Sequence, residues 1–526
     1  MRSRAGSPAP GLDRRTLLRG LAAAGGLAAL GPILAACGGD DSGDGGGGGA
    51  PSRGGKLTVG IGTPLTDFDP YNHLAVNFPM MATLYSYLIT YDDQYKPTPD
   101  LAAEWSLAAD NLSATIKLRD TVFHDGSPVT AQDVIAGIKR AQDPKTGISQ
   151  AATSSIIKEA TAGDDTTVKL TFVKPTAEAR FLDFMYWFPV VQASRNDAAK
   201  LKQEAGGSGP FTLSSYAPGD RMLFKRNEKY YAQGRPYLDE LEIRFFDSQD
   251  SLVSALRAGS VGGALALDAR YISQLQSGFN VVKGAPGALI NLFRMNPLKA
   301  PFDNKLVRQA VARAIDRDRL IKEVQNGVGA PVYTSYPPNA LGFDASLLDT
   351  FAFDLDAAKQ LLDSSGGQKA AVATVASADK ASVSALLIIQ EDLKKIGFDL
   401  QLETVDTATV NSRYLEGSLQ CVVRASSNAY SSPMGVAQDS AFRLANNVLW
   451  KDELPPAYVA AVAQLDKAAS SAEVDAATKA VSAVLTDESW AVGMYTVNAL
   501  SVFDKSVQGF ARNPADHPVF TDAYLT

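Results

Sequence analysis

"PDLAAEWSLAADNLSATIKLRDTVFHDGSPVTAQDVIAGIKR", residues 99–140, changes its periodicity midway, and that change decides how the chain is read. "ATIKLR" (114–119) alternates apolar and polar side chains, the two-residue period of a half-buried strand. Asp125-Gly126 is a tight-turn pair. Thr130-Ala131-Gln132-Asp133 then has the Ser/Thr-x-x-acid form of a capping box, and Val134, Ile135, Ile138 and Ala141 follow at helical spacing. A strand, a turn and a capped amphipathic helix in this order predict a chain that mixes β and α elements.

The mixture continues on both sides. Lys56-Leu57-Thr58-Val59-Gly60-Ile61 reads as a first strand, "TVKLTFV" (167–173) and "LDELEIRFF" (238–246) as alternating strands, and "SLVSALRAGS" (251–260) as a helix closed by Gly259. From about residue 300 the units lengthen. Asp303 is placed to cap a helix carrying Val307, Ala310, Val311, Ala314 and Ile315, and Asp316 to cap the next, which stops near Gly327. "AAVATVA" (370–376), a helix ending "QEDLKKIG" (390–397) and "FDLQLETV" (398–405) predict a βαβ unit, with Gly397 at the helix end. Another helix closes at Gly417, before the strand "LQCVVRA" (419–425). "AVGMYTVNALSVF" (491–503) is strand-like and is expected to return the chain to its first half. A chain of 526 residues exceeds what one hydrophobic core supports, so two or more lobes are expected.

The N-terminus reads as an address. Five arginines (Arg2, Arg4, Arg14, Arg15, Arg19) precede an uncharged run, Gly20 to Ala36, shorter than the ~20 residues a spanning helix needs. Asp13-Arg14-Arg15-Thr16-Leu17-Leu18-Arg19 resembles the twin-arginine export motif, and Leu34-Ala35-Ala36-Cys37 resembles a bacterial lipobox. Residues 1–36 are therefore read as an export signal and Cys37 as the lipidated first residue of the mature chain. Residues 37–53, rich in glycine, read as a flexible tether with a typical span of roughly 20–25 Å. Removing the signal leaves 45 basic against 56 acidic residues, which argues against nucleic acid as a partner. Only Cys421 remains besides Cys37, so no internal disulfide is expected, and Cys421, inside a strand pattern, reads as a small core residue.

No catalytic constellation emerges. The three histidines (His73, His124, His517) form no metal-ligand spacing, and there is no Gly-x-Ser-x-Gly elbow and no Walker loop. Gly60-Ile61-Gly62 follows a strand but lacks the third glycine of a dinucleotide site. Asp67 and Asp69 in "TDFDPYN" read as a turn, and His124 as a structural turn residue. No catalytic residue, metal or cofactor is assigned.

With these elements placed, the 99–140 stretch resembles the signature region of the peptide/nickel-type solute-binding proteins of ABC importers, extracellular solute-binding family 5. "GSGPFTLSSYAPGDRMLFKRNEKYY" (207–231), "PFDNKLVRQAVARAIDRDRLIKEVQNGVGAP" (301–331) and "EDLKKIGFDLQLETV" (391–405) resemble further family segments, in order. The resemblance implies a two-lobed, hinged α/β periplasmic-binding-protein (Venus-flytrap) fold with an extra domain inserted in the first lobe. The first lobe would combine 54–90, 205–290 and 497–526, the extra domain 91–204, and the second lobe 291–496. Function would be non-enzymatic: a lipid-anchored, extracytoplasmic, monomeric binder that captures a peptide-like or anionic small organic solute and delivers it to an ABC permease. A ligand-sensing or folding-helper lipoprotein needs the same cleft. A secreted hydrolase would need the convergent groups that are missing.

In such a fold the ligand is contacted by loops after strands of both lobes. These loops offer Thr63, Tyr71, Asn72 and His73 after the first strand, and Arg424, Ser426, Ser427, Asn428 and Tyr430 in "RASSNAYSSP" (424–433). "DFMYWFPVV" (183–191) adds Tyr186 and Trp187 as aromatic walls, although Trp187 reads equally well as core. Peptide-binding members of the family carry an acid near residues 424–433 to pair with the peptide amine. Here no Asp or Glu lies between Glu416 and Asp439. A buried ammonium without a carboxylate is costly, so the substitution points away from free-amino peptides. Arg424 suits a carboxylate or other anion, or else a structural role.

Overall fold

A computed structural model describes residues 51–526, apart from 63–64, 66, 73–77, 93–95, 147, 149, 187, 285–288, 335, 337–342, 368, 428–440, 445–446, 452, 498–499 and 514–516. All of them belong to one unit, Ala50–Thr526. In chain order the strands that build the large sheets are β1 (Lys56–Ile61), β2 (Ala102–Leu107), β3 (Ser113–Leu118), β4 (Ile157–Asp164), β5 (Thr167–Phe172), β6 (Phe211–Ala217), β7 (Arg221–Arg226), β8 (Glu240–Phe245), β9 (Gly263–Leu267), β10 (Asn280–Lys283), β11 (Leu289–Met295), β12 (Ala370–Ala376), β13 (Asp399–Val405), β14 (Cys421–Ser427), β15 (Ala491–Val497) and β16 (Leu500–Phe503). The helices used below are α1 (Ala131–Gln142), α2 (Glu178–Tyr186), α3 (Gln249–Arg257), α4 (Lys305–Ala314), α5 (Arg317–Val324), α6 (Leu355–Ser364), α7 (Lys380–Lys395), α8 (Thr407–Leu415), α9 (Pro456–Lys467) and α10 (Ser471–Glu488).

Three sheets divide these strands. A seven-stranded sheet runs β10-β16-β9-β1-β8-β7-β6, a five-stranded sheet β13-β12-β14-β11-β15, and a four-stranded sheet β2-β3-β5-β4. The first draws on sequence before 284 and after 499, the second on 289–497, and the third on 102–172 alone. β1 lies parallel to both β8 and β9, with Leu57, Val59 and Ile61 buried on one face. In the second sheet β12 is parallel to β13 in full register, Ala370↔Asp399 to Ala376↔Val405, with α7 as the crossover. That is the βαβ unit read from 370–405.

The capping box also forms: the Asp133 carboxylate accepts from the Thr130 amide at 2.8 Å, and Val134, Ile135, Ile138 and Ala141 are all buried. Asp316 caps α5 as expected, accepting from the Arg319 amide at 3.0 Å. Asp303 does not cap α4. Asn304 does, accepting from the Leu306 amide at 2.9 Å, while the Asp303 amide is still bonded to the Lys299 carbonyl in the preceding turn. The apolar stretch 491–503 is two strands rather than one, β15 ending in the second sheet and β16 beginning in the first.

The motif segments lock onto one another. The His124 amide donates to the Gly207 carbonyl at 3.0 Å, and the His124 ring bonds the Gly209 carbonyl at 3.1 Å, so "HDGSP" and "GSGPF" are clamped face to face. His124 is thus scaffold; burial lowers its affinity for a proton. Gly207 answers to space rather than to a bend, because a Cβ there would lie 2.0 Å from the Leu84 carbonyl oxygen. Gly60 likewise has its place taken by Leu252 of α3, 2.2 Å from where a Cβ would sit. The first glycine of the Gly60-Ile61-Gly62 run is explained by this packing. Cys421 is buried, and burial pushes its thiol well up, as expected of a core residue.

Asp100, at the start of the signature region, accepts from the Tyr231 hydroxyl (2.7 Å) and the Tyr87 amide (2.9 Å). Burial pushes its carboxyl up to about 6, against the opposing pull of Tyr231, Tyr87 and Arg119. A folded-state pKa above the ordinary value means that the fold holds this proton more tightly than the unfolded chain. The associated stability is full below the unfolded pKa of about 3.9 and is lost as pH rises through about 6. Asp100→Asn is therefore expected to melt higher than the wild type at pH 8, with the difference fading at pH 4–5. Thermal scans at the two pH values measure it; an equal or lower Tm at pH 8 refutes this reading.

Candidate binding cleft

Strand direction locates the cleft. The chain leaves the first sheet after Lys283, the carboxyl end of β10, and enters the second at Leu289. It returns from Val497, the carboxyl end of β15, to Leu500 of β16, which pairs with Lys283. β10 and β9 each lie antiparallel to β16, and β9 is parallel to β1, so β1, β8, β9 and β10 all point the same way, toward the crossings. In the second sheet Leu289 pairs with Ser427 and with Val497, so β14 and β15 end at the crossings, and β12 and β13 run parallel to β14. Both sheets thus turn the carboxyl ends of their parallel strands toward the same two connections, the place where open α/β sheets bind ligands.

Helix starts follow from the same geometry. α3 begins after β8 with Ser248 accepting from the Ser251 amide (3.1 Å), α7 after β12 with Asp379 accepting from Ser382 (3.0 Å), and α8 after β13 with Asp406 accepting from Thr409 (2.9 Å). The residues that follow these strand ends are Phe246 and Asp247 after β8, Asp268 after β9, Ser377 to Asp379 after β12, and Asp406 after β13. The candidate residues read from sequence include none of these. The strands "LDELEIRFF" and "AAVATVA" were legible, and strand order was the missing information.

The sequence-read residues divide three ways. Tyr71 is a correction: it is fully buried, its hydroxyl donates to the Pro189 carbonyl at 3.1 Å, and its ring meets Phe188 edge-on and carries the Arg140 guanidinium at 5.2 Å. Tyr186 is a second: 6% exposed and edge-on to Tyr91 at 4.9 Å, it packs in the first core instead of forming an open aromatic wall. The Asp67/Asp69 pair makes two successive turns, Asp67 accepting from the Asp69 amide (3.0 Å) and Asp69 from the Tyr71 amide (3.1 Å), as read from sequence. Asp69 also pairs with Arg140. Thr63, His73, Trp187, Asn428 and Tyr430 lie outside the described residues, and of Asn72 and Ser427 only the backbone is described, in the short turn Pro70–Asn72 and at the end of β14.

Arg424 and Ser426 share one face of β14. Ser426 is buried, whereas Arg424 is partly exposed. The Arg424 guanidinium lies 4.4 Å over the Tyr414 ring, and its Nη1 donates to Asn411 Oδ1 at 2.8 Å, so α8 fixes its direction. Planar stacking and a directed hydrogen bond both orient a guanidinium.

A contact far apart in sequence also joins the 102–204 segment to the second sheet's helices. Lys174 and Arg180 both pair with Asp466 of α9, the latter at 2.8 Å, and Asn111 donates to the Ala469 carbonyl at 2.8 Å. Ala177 is buried in the core formed by α8, α9 and α10. Nothing in the local pattern of either segment signals this contact.

Known proteins decide the family. The model for bacterial extracellular solute-binding proteins, family 5 (middle region), matches residues 96–443. The chain belongs to this family. The solute-binding protein is 25% identical over 490 residues to the glutathione-binding protein GsiB of Shigella flexneri, covering 89% of this chain and 94% of the relative. It is 28% identical over 359 residues to a putative ABC transporter peptide-binding protein of Brucella ovis, covering 65% and 67%. The ABC transporter substrate-binding protein CtaP of Listeria monocytogenes superposes with a TM-score of 0.81 at 21% identity, covering 90% of this chain and all (100%) of that one. The fold is that of the two-lobed periplasmic binding proteins. Among the described residues no group of His, Cys, Asp or Glu is arranged to hold a metal ion, and no helix is long and apolar enough to cross a membrane.

Proposed function

We propose that this solute-binding protein serves an ABC importer: it captures a peptide-like or anionic small organic solute between the carboxyl edges of its two large sheets and hands it to a membrane permease. No bond is made or broken. The observation that carries this reading is the pair of crossings, Lys283 to Leu289 and Val497 to Leu500, which let the sheets close on a solute while staying connected. The relatives named above, a glutathione binder and a peptide-transporter component, support a small peptide-like cargo. On this reading the first lobe takes residues 54–90, 205–290 and 497–526, and the second 291–496. Residues 91–204 form an added domain tied across to Asp466. Only contacts made in the closed state drive closure.

Thr63, Asn72, His73, Trp187, Ser427, Asn428 and Tyr430 remain candidates for ligand contact, beside Arg424 and Ser426. The missing acid between Glu416 and Asp439, together with an oriented Arg424, favours a cargo with a carboxylate over one recognised by its amine. Arg424→Ala is expected to weaken such an anion about tenfold or more, the scale of a hydrogen bond to a charged group, while leaving the far-UV spectrum and cooperative unfolding intact. Calorimetric titration measures it; unchanged affinity removes Arg424 from the site.

We assign the N-terminal segment to export and anchoring, with lipid on Cys37 and the protein on the extracytoplasmic face of the membrane. Cys37→Ser is expected to move the protein from the membrane fraction to the soluble fraction and to abolish fatty-acid labelling. Continued labelling would contradict the assignment. The transport reading is tested by native mass spectrometry of the purified body, followed by thermal shift against small carboxylated solutes and peptides. A true ligand at ~100 × Kd raises stability by roughly 2.7 kcal/mol, a shift of several degrees. Recovery of a chemically altered solute would overturn the reading.

A further inference from the structure

Arg317, the first residue of α5 within "AIDRDRL", is one of the most deeply buried cations of the molecule, 2% exposed. Its Nε donates to the carbonyls of Val332 (3.0 Å) and Gly493 (2.9 Å), and its Nη1 to those of Ala312 (3.4 Å), Ile315 (3.3 Å) and Phe351 (3.2 Å). Tyr333 covers the guanidinium face at 4.4 Å. Every acceptor is a neutral carbonyl. Among the described residues no carboxylate pairs with Arg317, and Nη2 has no acceptor. Arg308, buried in the neighbouring helix, differs in having Glu488 at 2.8 Å.

Beside Arg317 lies a cavity of ≈ 10 Å³, bounded also by Tyr333, Thr334, Thr486 and Ser489. The Thr486 hydroxyl is buried and is a second group without a partner. The Thr334 hydroxyl donates to the Tyr336 carbonyl and the Ser489 hydroxyl to the Thr486 carbonyl, so neither has a proton to spare. Two residues with an unpartnered donor, one of them formally cationic, thus line a volume that holds a single water-sized occupant. A buried cation is stabilised by a counter-charge as well as by hydrogen bonds, and water supplies only the latter. The low proton affinity of this guanidinium, pushed down to about 10 by burial, is in keeping with a cation that no protein carboxylate neutralises.

We propose that this cavity is a binding site for one monatomic anion of chloride size, held by Arg317 Nη2 and the Thr486 hydroxyl between α4, α5 and α10. The site lies inside the second sheet's helical layer, away from the carboxyl strand edges, and is independent of the transported solute. The anion ties the α4–α5 junction to the end of α10.

The test uses the purified body in bromide. Crystals grown with bromide in place of chloride are expected to show an anomalous peak within hydrogen-bonding distance of Arg317 Nη2. In solution, Tm is expected to rise by several degrees, and to saturate, when chloride replaces gluconate at constant ionic strength. Thr486→Val, which keeps the shape and removes the donor, is expected to lose most of that rise. Arg317→Gln is avoided as the sole variant because it also removes five backbone contacts. A well-ordered water with no anomalous signal at the site would overturn the proposal, as would a chloride response that is unsaturable or is identical in Thr486→Val.

Discussion

Asp69→Ala is expected to destabilise the protein by about 3–5 kcal/mol, the cost of leaving a buried charge without its partner. The Asp69 side chain is 2% exposed and Arg140 10%. Arg140 Nη1 donates to Asp69 Oδ1 at 3.1 Å and Nη2 pairs with Asp69 Oδ2, while the Tyr71 amide donates to Asp69 as well. Removing the carboxylate leaves Arg140 with Asn196 Oδ1 at 3.1 Å and the face of Tyr71, neither of which neutralises it. Urea unfolding followed by tryptophan fluorescence measures the change. The double variant Asp69→Ala/Arg140→Met, with no orphaned charge, is expected to recover a large part of the loss. A loss below about 1 kcal/mol for the single variant would show that the pair is effectively solvated.

Trp490→Ala is expected to cost a similar amount, about 3–5 kcal/mol, through a different mechanism. Trp490 is fully buried just before β15, donates from Nε1 to the Ala441 carbonyl at 3.2 Å, and meets Trp450 (5.5 Å) and Tyr458 (5.2 Å) edge-on. Truncation opens a cavity where α9, α10 and β15 converge, and the rings around it lose their edge-to-face partner. Trp490→Phe keeps part of the ring packing and is expected to lose less than half as much. If the alanine variant unfolded with the wild-type midpoint, this core would not be cooperative with the rest of the second lobe.

Most single elements were legible because periodicity and capping are local. The 114–119 strand, the Thr130/Asp133 cap, the Asp316 cap and the 370–405 βαβ unit all formed where the residues said they would. The Asp303 reading failed by one residue because capping depends on which residue first leaves the preceding turn, and two adjacent polar side chains do not announce that. "GSGPF" was read as a bend, but what Gly207 provides is room for the Leu84 carbonyl, a neighbour remote in sequence.

The site was less legible for the same reason. Tyr71 lies in the short helical turn Pro70–Asn72 and Tyr186 ends α2, and neighbouring elements close over both. The residues that do border the strand ends, such as Asp247, Asp268 and Asp406, become candidates only once strand order and direction are known. The Asp466 cluster joins segments nearly three hundred residues apart, as Arg180 and Asp466 show, and no periodicity encodes that pairing.

The central claim is that a solute is held between the carboxyl edges of the two large sheets. Hydrogen–deuterium exchange, comparing the protein stripped of ligand with the protein carrying the solute identified by native mass spectrometry, tests it most directly. Protection is expected in the segments that follow the strands, 246–252, 268–272, 377–383 and 406–410, together with the crossings at 284–289 and 497–500. The surface depression lined by Pro301, Asn304 and Gly367, between α4 and the end of α6, is expected to exchange unchanged. Protection confined to that depression, or to one sheet's edge alone, would contradict the claim.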